Sequence, residues 1–289
     1  MDHLAPILIQ VLNGLQYGLL LFLVASGLTL IFGIMGVINL AHGSFYMIGA
    51  YFAWSLASYF GNLLTAILVG IVLSVLLGLA LERLLIRHFY GRDHLYQVLL
   101  TYGLILIFEQ LRSLIWGDEV QGVKVPELFN YSIPLTDTLS YPVYRLVISA
   151  ACVAIALGLH WLIRRTRLGM MIRAGAHNRE MTEAMGINVR MLFAVVFSLG
   201  VALAALAGML ASPVSSVYPN MGSQVLIICF VVVVIGGIGS VKGALVGALL
   251  IGLADTFGQV YLPQVAGMVV YLLMAAVLVF RPEGLFRKT

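Results

Sequence analysis

Charge is what this sequence has least of. Only 10% of its 289 residues are Asp, Glu, Lys or Arg, against roughly 25% in a soluble domain, and that scarcity excludes a water-soluble globular protein. Charge is absent altogether from 3–81, 191–241 and 256–280, and each stretch exceeds the ~20 apolar residues that cross a bilayer as a helix. Runs such as LLLFLVASGLTLIF show no period-two alternation, so a transmembrane barrel is excluded as well. Cysteine occurs twice, as Cys152 and Cys229 within apolar runs. Two such residues supply neither a disulfide framework nor a four-ligand zinc site, and they read as small buried side chains. No nucleotide-binding loop is recognisable. GGIGSVKG at 236–243 lies between apolar runs rather than in a βαβ unit, and Lys242 is followed by Gly243 and Ala244 where a P-loop requires Ser or Thr after its lysine. Asp2, standing where a leader has basic residues and ahead of an over-long apolar run, predicts no cleaved signal.

What is present is apolar sequence punctuated by basic clusters. Twelve of the sixteen Lys and Arg lie in three patches: Arg83, Arg87 and Arg92; Arg164, Arg165, Arg167, Arg173, Arg179 and Arg190; Arg281, Arg287 and Lys288. Placed at the ends of apolar runs, they mark cytoplasmic span ends by the positive-inside rule rather than a nucleic-acid surface. The fold class is therefore an all-α polytopic membrane protein, a single transmembrane domain over 1–289 in two pseudo-repeated halves. Spans are expected at 11–34, 44–58, 63–81, 95–114, 144–163, 191–211, 223–235, 244–258 and 265–280, with the N-terminus outside and the C-terminus inside. The longest polar connection, 116–142, carries Asp118, Glu119, Glu127 and Asp137 against one Lys124 and falls outside. The second, seventh and eighth segments are short for a ~30 Å core and read as broken or half-length helices.

Two interruptions look alike. One contains Gly33, Gly36, Asn39, His42 and Gly43 ahead of Ser44; the other is 236–243. Paired interrupted segments point to a pseudo-repeat whose breaks line a substrate path, which makes Asn39, His42, Gly43, Ser44, Gly236, Gly237 and Gly239 candidate path residues. The alternative is two ordinary turns. His42 has no second ligand at metal spacing, so no metal or other cofactor is expected, and its alternative role is a helix-end hydrogen bond. Glu109 and Arg112, three apart on one helix face, can pair. Asp255 lies near the outer end of the eighth span, and few other ionisable groups stand within spans. The loop 164–190 holds a short helix: Asn178 caps it, Glu180 suits its first turn, Gly186 stops it, and Met181, Ala184 and Met185 share an apolar face. That face would rest on the membrane surface or dock into another subunit.

INLAHGSFYMIGAY (38–51), LLTYGLILIFEQLRSLIWG (99–117), RAGAHNREMTEAMGINV (173–189), VVVVIGGIGSVKGALVGALLIG (231–252) and RPEGLF (281–286) resemble the LivH-type permease subunit of branched-chain amino acid ABC importers. The resemblance covers nearly the whole chain in order. It implies an inner-membrane subunit that is not itself an enzyme, paired with a second, related permease, two cytoplasmic ATPase subunits and a periplasmic substrate-binding protein, with lipid around it and no nucleic acid. It also implies that 173–189 is the coupling loop, with Arg173, Asn178, Arg179, Glu180, Glu183 and Gly186 in contact with the ATPase. Leu40 and Lys242 depart from the family pattern, which often has an aromatic at the first position and Pro or a small residue at the second. The apolar lining suits a small zwitterion with an apolar side chain; an amide, urea or an aromatic acid would fit it too. An ion-coupled secondary transporter is the alternative class, with Glu109, Asp255 or His42 as its coupling residue.

Overall fold

The computed structural model describes residues 4–136 and 139–286; Asp2, Asp137, Arg287 and Lys288 lie outside the described residues. Eleven α-helices follow in order: α1 (Leu4–Met35), α2 (His42–Phe60), α3 (Leu63–Leu84), α4 (His94–Trp116), α5 (Val143–Arg165), α6 (Arg167–His177), α7 (Arg179–Ala184), α8 (Val189–Ser215), α9 (Met221–Gly236), α10 (Val241–Tyr261) and α11 (Ala266–Phe280). Each of the nine expected spans is one of these helices. The connection between α4 and α5 also holds an antiparallel hairpin, β1 (Ser132–Thr136) and β2 (Leu139–Pro142), with Ser132 opposite Pro142. Among the described residues, six helices (α1, α3, α4, α5, α8 and α10) are long and apolar enough to cross a membrane, and α9 and α11 are shorter apolar helices. This is an all-α polytopic membrane protein.

Local chemistry sets the helix starts. Asn62 accepts from the Leu64 amide at 2.9 Å, Asp93 from Leu95 at 3.1 Å and Ser240 from Gly243 at 3.0 Å, each satisfying an otherwise orphaned N-terminal donor. α1 is apolar on every side, as a helix buried all round must be, and with α8 it forms the largely buried centre of the molecule; α3, α4 and α5 turn most of their surface outward. α10 lies antiparallel on α1 through small residues, so close that a methyl at Gly18 would stand 2.8 Å from the Ala248 carbonyl oxygen. The basic residues gather at one end, reached by the C-termini of α1, α3, α5 and α11; the hairpin marks the other.

α1 ends at Met35 near the basic end, and the chain then runs back without helix to His42, whose Nε2 lies 2.9 Å from the Val24 carbonyl oxygen. Val24 is in the middle of the apolar stretch of α1, so α2 begins deep within the molecule. Asn39 and His42 are fully buried. The backbone groups freed here find protein partners, as burial demands: Gly36 N donates to Phe32 O, Asn39 Oδ1 accepts from Ala41 N at 3.1 Å, and Thr101 Oγ1 reaches Ile38 O at 3.4 Å.

The counterpart of this break is not 236–243, as the sequence pattern suggested, but 216–220. α8 ends at Ser215 toward the hairpin end, the chain turns inward through Ser216 and Asn220, both at positive φ, and α9 starts with Gly222 against Gly43. Two non-helical segments thus enter from opposite ends and meet at the starts of α2 and α9. Segment 236–243 is instead a helical hairpin turn at the basic end, pinned by the C-terminal segment through Leu285 N to Ile235 O at 2.8 Å and Phe286 N to Gly236 O at 3.2 Å.

Candidate functional site

Residues Gln10, Asn13, Tyr17, Leu21 and Val24 follow one another at steps of three and four along α1, which puts them on one face. That face lines a cavity of about 450 Å³, a size suited to a small molecule. From Gln10 to Val24 it runs along about 21 Å of α1 at the ~1.5 Å helical rise. Arg145 of α5, Ala211 to Ser215 at the end of α8, Val225 of α9, Tyr46 of α2 and Asp255 to Val260 at the end of α10 form the other walls.

The lining is graded. Toward the hairpin end it is polar and charged: Arg145 donates to Asn13 Oδ1 at 2.6 Å, and Gln259 Nε2 donates to Asp255 Oδ2 at 2.7 Å. Gln16, Tyr17, Tyr46 and Ser215 stand at intermediate depth, while Leu20, Leu21, Val24, Ala211 and Val225 make the deep part apolar. Arg145 and Asp255 share the cavity without forming an ion pair with each other.

The first group of expected path residues stands behind the cavity's deep end. Because its partner is a carbonyl, Nε2 of His42 carries the proton and donates to Val24 O, while Nδ1 has no protein partner. The expected alternative was a helix-end hydrogen bond; the partner found is a carbonyl in the middle of α1. Asn39 shapes its own turn, with Nδ2 unpartnered. Gly43 and Ser44 are buried where α2 meets α9; a methyl at Gly43 would fall on the Gly222 carbonyl oxygen. Gly236, Gly237 and Gly239 are in the α9 to α10 turn, and the cavity lining does not include them. Glu109 stands 3.5 Å from Arg112, whose hydrogen bonds go to Gly117 O and Asp118 Oδ1, both at 2.6 Å; the Arg112 guanidinium holds the Asp118 carboxyl below its ordinary range.

In the loop between α5 and α8, Asn178 Oδ1 accepts from Met181 N at 2.9 Å, Gly186 takes φ +84°, and its amide donates to Glu183 O. The expected cap, first-turn Glu180 and glycine stop are all in place. Met181 and Met185 are 61% and 76% exposed, so among the described residues the apolar face of α7 has no cover. Arg179, though exposed, sets its guanidinium 5.1 Å from the Phe193 ring centre and 3.6 Å from Glu183. Arg173 bonds back to the Ile163 carbonyl. Sequence reading did not separate α6, which Thr166 starts by accepting from Gly169 N at 3.1 Å while donating to Leu162 O at 2.6 Å. A buried carboxylate was also missed: Glu82, 1% exposed, accepts from Tyr90 Oη at 2.5 Å, and the Tyr90 ring stands edge-on to Phe193 at 5.1 Å. Arg145, likewise passed over, had a legible signal, a lone cation one turn into an apolar run.

The chain is thus a polytopic helical membrane protein with two non-helical breaks that meet in its interior, a graded cavity and a short exposed helix in its largest basic loop. The chain belongs to the family described as the permease component of branched-chain amino acid transport systems, which matches residues 10–278. It is 32% identical to the high-affinity branched-chain amino acid transport system permease protein BraD of Pseudomonas aeruginosa over 96% of this chain and 94% of that protein, and 32% identical to LivH of Escherichia coli K12 over the same shares. The ribose import permease protein RbsC of Escherichia coli K12 is 35% identical over 99 residues, 32% of this chain and 31% of that one. No solved structure matches.

Proposed function

We propose that this chain, a single permease domain, is the membrane-spanning subunit of an ATP-binding cassette importer that moves branched-chain or similarly small amino acids across the cytoplasmic membrane. It works beside a second permease, two ATPase subunits and a substrate-binding protein outside the membrane. The single observation that carries this reading is family membership over nearly the whole chain. The basic end faces the cytoplasm by the positive-inside rule, which puts the N-terminus outside and the C-terminus inside. The uncovered Met181 and Met185 of α7 support ATPase docking through 164–190, with Arg173 and Arg179 holding that loop on the membrane bundle and Asn178, Glu180, Glu183 and Gly186 shaping the docked helix. ATP-driven closure of the ATPase pair would shift the permease pair between its openings, through a difference in nucleotide affinity between the two states. The path follows the graded cavity toward the buried junction of Asn39, His42, Gly43 and Ser44. Gly236, Gly237 and Gly239 would move with the basic end.

Copurification tests this reading. Affinity isolation of the chain from its native membranes in mild detergent should bring down a P-loop ATPase near a one-to-one ratio. Isolation without any ATPase, together with uptake driven by an imposed ion gradient, would favour an ion-coupled carrier instead.

A further inference from the structure

The graded cavity has a polarity that a zwitterion with an apolar side chain would match end to end. Arg145 offers a cation and Asp255 a carboxylate at the polar end. The side-chain partners of both are neutral, Asn13 and Tyr141 for Arg145 and Gln259 for Asp255, and neither is neutralised by the other. A buried or half-buried charge without a counter-ion is costly, and two opposite ones on the walls of one cavity are a complementary pair awaiting a ligand that carries both signs. Below them the lining turns to Leu20, Leu21, Val24 and Val225, where an aliphatic side chain is favoured and a charged one is excluded.

We infer that this cavity is an amino-acid transit site in which Arg145 binds the α-carboxylate, Asp255 binds the α-ammonium, and the apolar end takes a branched aliphatic side chain. The inference rests on the import reading above and deepens it by naming the site. A guanidinium donates to a carboxylate with two parallel bonds, so Arg145 fixes orientation. Asp255 accepts from the ammonium, and Gln259 keeps its carboxylate turned. Ligands that lack either charge leave one wall group unpaired and are discriminated against accordingly. The neutral partners Asn13 and Gln259 hold both groups when the site is empty, so that binding stays weak enough for release.

The test uses the assembled transporter in proteoliposomes with its binding protein and ATP. Arg145→Gln and Asp255→Asn should each slow initial L-leucine uptake about tenfold or more, the loss of a charge-assisted contact, while Arg145→Lys, which keeps the charge but not the two-bond fork, should fall between Arg145→Gln and wild type. In a Val225→Cys variant otherwise wild type, L-leucine should slow alkylation of the introduced thiol, whereas leucinamide and 4-methylpentanoate, each lacking one charge, should not. Uptake within twofold of wild type in both charge-removing variants, or alkylation that L-leucine does not slow, overturns the inference. The thiol protection experiment decides the matter even if the charge variants fail to assemble. Wild-type assembly with no ATP-dependent leucine uptake would instead contradict the import reading itself, so the two failures are told apart.

Discussion

Asn39 uses its side-chain carbonyl within its own turn, accepting from Ala41 N at 3.1 Å while fully buried. Asn39→Leu would orphan that amide in a dry interior, at a cost of about 1 to 3 kcal/mol. The expected outcome is a clearly lower melting temperature in detergent and reduced membrane abundance, with Asn39→Ser milder because its hydroxyl can accept within the same turn; an unchanged melting temperature would argue that water reaches the turn. Gly43 is constrained more severely, since any β-carbon meets the Gly222 carbonyl. Gly43→Val should fail to accumulate in the membrane, and normal abundance of this variant would show that α2 and α9 separate readily. At this scale the sequence was informative about which residues matter and silent about their partners. His42 and Asn39 stood out as polar groups in an apolar region, but the Val24 carbonyl that His42 meets is eighteen residues away, and every residue of α1 carries such a carbonyl. Arg145 was equally visible as a lone cation, yet its relation to Asp255 depends on α5 and α10 both facing α1.

Helices were legible because membrane spans announce themselves by length and apolar content; caps such as Asn62, Asp93 and Ser240 emerged only with the structure. Depth was not legible. A short polar stretch reads the same whether it turns at a surface or re-enters the protein, so 216–220 went unremarked between two expected spans and 236–243 was read as a break. In the loop between α5 and α8, the cap at Asn178 and the stop at Gly186 were readable because both depend on neighbours within a few residues. Gly186 holds φ +84°, which a β-branched residue adopts at a steep cost. Gly186→Val should therefore leave the protein in the membrane yet abolish substrate-stimulated ATP hydrolysis in the assembled transporter; normal stimulation would remove the loop from the coupling route. A second contact fastens the same end. Burial, and then the hydrogen bond to Glu82, push the Tyr90 phenol upward, against the opposing pull of Arg87 and Arg179. A group whose folded pKa is raised stabilises fully below its unfolded value, near 10.0 for Tyr, and that stability is lost as pH climbs beyond it. Tyr90→Phe should lower the melting temperature at neutral pH by stranding the buried Glu82 carboxylate, and should flatten the decline seen above pH ~10. Equal alkaline slopes in both proteins would mean other tyrosines dominate.

For the whole molecule, orientation follows from where the charges collect. A cysteine replacing the exposed Arg167 should resist a membrane-impermeant thiol reagent in intact cells, while one replacing Leu128, which is 71% exposed at the hairpin end, should react; the reverse pattern would invert the topology. The all-helical architecture and the family were readable from one sequence because they rest on composition and on motifs spread along the chain. The graded cavity was not, because it is assembled from six helices and exists only once α1 is surrounded. The same dispersal explains why no short motif marks it. Under the proposed function, transport through this chain depends on an ATPase partner. That dependence is measured directly by L-leucine uptake into sealed proteoliposomes containing this chain with and without its copurified partners, under imposed proton or sodium gradients. Uptake that appears only with the ATPase, binding protein and ATP is the predicted result; gradient-driven uptake by this chain alone would contradict it.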